Sequence, residues 1–131
     1  QNQQVGSGLL GELPEPVSET ALLELLKQKF HLSVIRHTPL LGKTVKKIAL
    51  CGGAGSFLTG AAVAAGADFY ITGDVKYHEF FDANSRLVIA DIGHYESEQF
   101  TIELFRDLIL KKFSTFAVRL TGVNTNPVHY F

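Results

Sequence analysis

The segment Asp91-Ile-Gly-His94-Tyr-Glu-Ser-Glu98 holds the sharpest group of chemistry-bearing residues in this chain. His94 and Glu98 are four residues apart, so on a helix that begins by His94 both side chains share a face within reach of one ion. Imidazole nitrogen and carboxylate oxygen suit zinc, iron or manganese, and a carboxylate can bridge two ions. Two ligands are not a site, because a zinc or iron centre takes at least two more from elsewhere in the fold or from sequence outside this chain. On spacing alone, the ordinary meaning of His-x-x-x-Glu is a helix start in which Glu98 favours the macrodipole. The surrounding residues change that balance.

A second group, Asp74, His78 and Glu79, also follows an apolar stretch. Two readings stand side by side: these residues line the same cleft, behind the metal ligands or against a substrate, or Asp74 caps a helix beginning near Lys76 and His78 is an ordinary surface histidine. Asp91 either orients the imidazole of His94 or serves as a turn residue. The turn Gly52-Gly-Ala-Gly55 before a helix offers backbone N–H groups to a phosphate, yet it lacks the Lys-Ser/Thr of a P-loop. Close packing of an alanine-rich helix on its strand explains those glycines better. Cys51, without a partner cysteine, reads as a buried structural thiol, and His31, His37 and His129 have no partner at ligand spacing.

The elements that must position these residues follow from hydrophobic period. Ser18 after two prolines is a plausible N-cap, Val17 and Leu22 sit where a hydrophobic staple closes, and Leu22, Leu23, Leu25, Leu26 and Phe30 recur at helical spacing. A helix over 18–30 is predicted. Leu32 to Arg36 and Val45 to Cys51 read as strands, Ser56 to Ala65 as a helix closed by Gly66, and Asp68 to Thr72 as a strand. Lys76 to Ala83 then reads as a short helix and Leu87 to Ile92 as a further strand. The alternation βαβαβ implies parallel strands joined by right-handed crossovers, and hence an α/β fold with a mostly parallel or mixed sheet and helices on both faces. Ligands gather at the carboxyl ends of such strands, where both groups fall. Tyr95 to Phe113 carries two apolar rows, Phe100, Leu104 and Leu108 beside Ile102, Phe105, Ile109 and Phe113, and reads as one helix against the sheet. Phe116 to Leu120 reads as a last strand before the turn-like Asn124-Thr-Asn-Pro127.

The 131 residues, 46% of them hydrophobic, make one domain over 9–131 after a linker or frayed start over 1–8. Twelve basic against 13 acidic residues leave no global field for nucleic acid or an anionic membrane. No apolar run approaches the roughly 20 residues of a membrane helix. A single cysteine fits a reducing compartment, so the cytoplasm is expected. The start lacks an initiator methionine and the chain contains none, which reads as an excised fragment.

Ile71-Thr-Gly-Asp-Val-Lys-Tyr-His-Glu79 and Ala90-Asp-Ile-Gly-His-Tyr-Glu-Ser-Glu98, in this order, resemble the paired motifs of the Nif-three-like dinuclear-metal proteins, often labelled GTP cyclohydrolase I type 2 homologues. The resemblance runs from about Gly6 to the Asn-Pro near the end and matches only the carboxy-terminal part of a family member. It implies that His94 and Glu98 ligate a pair of divalent ions. The family's further ligands, a His-His pair and an Asp, come from an amino-terminal half with no counterpart here. Some members carry an inserted domain similar to the PII signalling protein, and Val5 to Leu13 looks like the segment that follows it. The implied activity is metal-dependent hydrolysis or cyclohydrolysis of a nucleotide-like substrate, in which two ions activate a shared water. In this chain the site would be incomplete and metal weak or absent. The alternative is a regulatory or protein-interaction module with a structural metal. The resemblance also implies homo-oligomers, dimers stacked into rings, and a partner in the missing amino-terminal half.

Overall fold

The computed structural model describes residues 6–131. Most of the start expected to be a linker, residues 1–5, lies outside the described residues. The chain divides into two compact units, one ending at Ser97 and one running from Glu98 to Phe131.

The first unit is built on a five-stranded mixed sheet in the order β1-β3-β4-β5-β2. Its centre follows the expected alternation. β3 (Thr44–Ala54), β4 (Phe69–Gly73) and β5 (Val88–Asp91) are parallel, with Ile48 level with Phe69 and Phe69 level with Val88. α2 (Thr59–Ala64) with a preceding 3₁₀ turn joins the first two, and a 3₁₀ helix over Tyr77–Ala83 joins the second two. The edges are antiparallel: β1 (Leu9–Ser18) against β3, and the two-residue β2 (Arg36–His37) against β5.

Alternation along the central strands sends side chains to two cores, one on each face. Phe69, Ile71, Val88 and Ala90 pack with Leu22 and Leu26 of α1 (Glu19–Phe30), while Tyr70 and Ile89 pack with Ala62 of α2, Ala83 and Leu87. Ser18 caps α1 as expected, accepting from the Ala21 N–H at 3.1 Å, and both staple residues, Val17 and Leu22, lie in the first core. Glu19, only 5% exposed, fixes the loop beyond the helix by accepting from the N–H groups of Leu41 and Gly42.

Several elements depart from the sequence reading. β1 is an edge strand across Pro14 and Pro16, its pairing interrupted between Glu12 and Val17, where a proline without an N–H donor can be accommodated. The strand expected over Leu32 to Arg36 shrinks to Arg36–His37, because the Leu32 N–H closes the end of α1 by donating to the Lys27 carbonyl at 3.0 Å instead of joining a ladder. The long helix expected over Tyr95 to Phe113 is two helices, α3 (His94–Glu98) and α4 (Thr101–Lys112). Ser97 turns its hydroxyl back to the His94 carbonyl at 2.7 Å, a bond of the kind that bends helices, and α3 ends one residue later.

In the second unit α4 buries none of its residues. Phe116 to Leu120 forms no strand: an apolar run without a partner ladder has nothing to bond its backbone. The turn character around Asn124 is present, with the Asn124 and Asn126 side chains accepting from N–H groups two residues on.

Candidate metal centre

The site grows from the carboxyl ends of two adjacent parallel strands. Thr72 is level with Asp91, so β4 and β5 end side by side and release their loops together. At Gly73 and Gly93 the loops touch backbone to backbone. A Cβ on Gly73 would lie 2.8 Å from the Gly93 oxygen and 2.9 Å from the His94 nitrogen, so only glycine fits there. Gly93, at φ +91, then turns the chain into α3, and His94 is that helix's first residue.

On the other loop Asp74 occupies the left-handed region, φ 54, which costs an L-residue energy and marks over-determined backbone. That conformation delivers its carboxylate Oδ2 to His94 Nδ1 at 2.6 Å, with both side chains about half exposed. Because a carboxylate only accepts, this contact favours the neutral tautomer with the proton on Nδ1 and the lone pair on Nε2. Metal-ligating histidines are oriented in this way, the carboxylate fixing the tautomer and raising the basicity of the other nitrogen. The donor chemistry therefore fits a divalent ion at Nε2. It supplies part of a shell: among the described residues no three His, Cys, Asp or Glu side chains gather as a metal would need.

The carboxylate in contact with the imidazole is that of Asp74, and Asp91 bonds the backbone beside the pair. Its side chain, 3% exposed, accepts from the Val75 N–H and the Gly93 N–H, each at 2.9 Å, and pairs with Arg36. Asp74 does not cap the helix that follows. Glu79 does so, accepting from the Lys76 N–H at 2.7 Å, and that bond holds its carboxyl below the usual range. His78 is exposed, edge-on to the Tyr77 ring at 5.2 Å. Glu98 is the last residue of α3 and is exposed.

The glycine turn that closes β3 is spoken for inside the fold. The Gly53 N–H donates to Ser97 Oγ at 2.8 Å and the Gly55 N–H to Thr72 Oγ1 at 3.0 Å, so neither is presented to a phosphate. Sequence reasoning overlooked Arg36 and Ser97. Arg36 faces Asp91 across the β2–β5 ladder, bonds the Val75 carbonyl at 2.9 Å and lies over the Phe80 ring. A lone arginine in an apparently short strand carries no signal until that pairing is known.

An α/β unit with a carboxylate–histidine pair at its strand ends defines the class, and comparison with known proteins supplies the family. Residues 1–127 match the family model described as Duf34/NIF3 (NGG1p interacting factor 3), and the chain belongs to that family. Among curated relatives, a GTP cyclohydrolase 1 type 2 homolog of Staphylococcus epidermidis is 29% identical over 131 residues, covering 97% of this chain and 36% of its own length. One from Campylobacter jejuni is 31% identical, covering 88% of this chain and 46% of its own length. Among solved structures, a Bacillus cereus protein related to NIF3 superposes with TM-score 0.79 at 28% identity, over 96% of this chain and 36% of that one. A Staphylococcus aureus protein superposes with TM-score 0.80 at 26% identity, over 95% of this chain and 42% of that one. The chain thus spans less than half the length of these relatives. Among the described residues no helix is long and apolar enough to cross a membrane.

Proposed function

We propose that this chain contributes His94 and Glu98 to a dinuclear centre of divalent ions, zinc, iron or manganese, within a metal-dependent hydrolase or cyclohydrolase. The observation that carries this reading is the Asp74–His94 contact at 2.6 Å, a carboxylate set on an imidazole at the ligand-binding edge of a parallel sheet. Glu98, four residues after His94 at the end of the same short helix, is the second ligand by spacing. The remaining ligands come from the length that the relatives possess beyond this match. Ions bound there supply Lewis-acid chemistry and an activated water. The printed name of the relatives points to a nucleotide-like substrate, and the family resemblance to homo-oligomers working in the cytoplasm. Zinc titration by calorimetry tests the reading. The protein with its complete ligand set should bind tightly, lose that binding in His94→Ala and Glu98→Ala, and outbind the 131-residue chain. Binding that ignores both substitutions would reduce the motif to a helix start.

A second reading, a regulatory or protein-interaction module with a structural metal, is favoured by α4. It exposes Leu104, Phe105 and Leu108, an apolar surface of the kind partners cover. Bound metal together with no turnover of any nucleotide would select it.

A further inference from the structure

Asp91 bonds the two residues next to the proposed site's contacting pair: the N–H of Val75, which follows Asp74, and the N–H of Gly93, which precedes His94. Both bonds come from one buried carboxylate, Oδ2 to the first loop and Oδ1 to the second. Arg36 closes the arrangement from the neighbouring strand. Its guanidinium pairs with the same Oδ2 and also donates to the Val75 carbonyl, so both backbone groups of Val75 are held. Fixing Val75 on both sides sets the direction in which the backbone leaves Asp74 and so supports its left-handed conformation.

We infer that Arg36 and Asp91 are positioning residues for the proposed metal centre: a buried carboxylate, paired with a partly exposed guanidinium, that clamps the β4 and β5 loops and thereby fixes the tautomer of His94 through Asp74. The inference rests on the metal reading for its purpose but not for its test. Without the clamp, the strand ends stay joined by the Ile92 N–H to Thr72 carbonyl bond and the Gly73–Gly93 contact, but Val75 and Gly93 lose their common acceptor, Asp74 is no longer held from its far side, and Nδ1 loses its acceptor as the weak half-exposed pair opens. An unconstrained neutral imidazole prefers the proton on Nε2, the nitrogen the metal requires. The clamp would therefore act on the availability of the lone pair, a different effect from general support of the fold.

Long-range ¹H–¹⁵N NMR of this chain, at a pH where His94 is neutral, reads the two ring nitrogens separately. The parent should show Nδ1–H as the dominant form. Arg36→Gln, which alters a side chain 58% exposed and leaves Asp91 its two backbone donors, should shift His94 to mainly Nε2–H while the remaining amide spectrum stays native. Asp91→Asn should do the same more strongly, and Asp74→Asn serves as the control that the tautomer is readable. Arg36→Lys, keeping the charge, should restore part of the Nδ1–H population. Retention of Nδ1–H in both Arg36→Gln and a folded Asp91→Asn overturns the inference. In the protein with its complete ligand set, zinc affinity should fall about 10- to 100-fold in Arg36→Gln. If zinc binding ignores His94 while its tautomer follows the clamp, the metal reading falls and the clamp stands. If zinc binding needs His94 and the tautomer ignores the clamp, the reverse holds.

Discussion

At Asp74 conformational cost and chemical use meet in one residue. A left-handed φ costs an L-residue roughly 1–2 kcal/mol, less for aspartate than for most. Its half-exposed pairing with His94 returns only about 0–1 kcal/mol in high dielectric. Asp74→Gly should therefore leave stability unchanged or raise it by up to about 1 kcal/mol, since glycine adopts this φ without strain. Chemical denaturation checks this, and a loss above about 1 kcal/mol would make the pair a folding contact rather than a site contact. At this scale the sequence was informative only about partners close along the chain. The four-residue spacing of His94 and Glu98 could be read directly. The contact of Asp74 with His94, twenty residues away, depends on Thr72 lying level with Asp91, and the Arg36–Asp91 pair spans 55 residues. Neither distance has a sequence period, because both are set by strand register.

Among the elements, hydrophobic period was a good guide where a segment is buried on a sheet or against one. The capped α1 and the parallel β3, β4 and β5 all carry a face in one of the two cores. It failed where backbone pairing decides, as in the proline-bearing β1 and the unpaired run over Phe116 to Leu120. The glycine turn that closes β3 shows a different limit. Its composition suggested either an anion cradle or close packing, and only the contacts distinguish them. A Cβ on Gly55 would lie 2.5 Å from Thr72 Oγ1, 2.7 Å from Cys51 Cβ and 2.7 Å from the Tyr70 hydroxyl. Of these, Thr72 and Tyr70 are almost wholly buried on the central strand and cannot yield cheaply. Gly55→Ala should consequently destabilise the protein by about 1–3 kcal/mol through overpacking and lost hydrogen bonds. A midpoint in urea equal to the parent's would show that the turn has room to shift and that the packing account is wrong.

For the molecule as a whole, the same buried network predicts where alkaline unfolding begins. Tyr70 is 1% exposed, and its hydroxyl donates to the Gly55 carbonyl at 2.6 Å. Burial pushes its pKa from 10.0 up to about 12, with the Thr72 hydroxyl acting in the opposite direction and Cys51 adding a smaller increase. Between those two values the unfolded chain has released the phenolic proton while the folded protein retains it. The folded state then binds more protons, so stability is intact below pH 10 and falls as pH rises toward about 12. A shift of this size corresponds to a loss on the order of 2–3 kcal/mol once the window is crossed. Tyr70→Phe isolates the effect, because the lysines titrating in the same range are common to both proteins. At neutral pH the variant should be less stable by about 1 kcal/mol, its Gly55 carbonyl having lost a donor. On titration from pH 10 to 12 the stability of the parent should drop faster, and the two curves should converge and cross. Parallel curves across that window would mean that Tyr70 ionises in the folded state as easily as in water, and that the sheet around it opens before the protein unfolds.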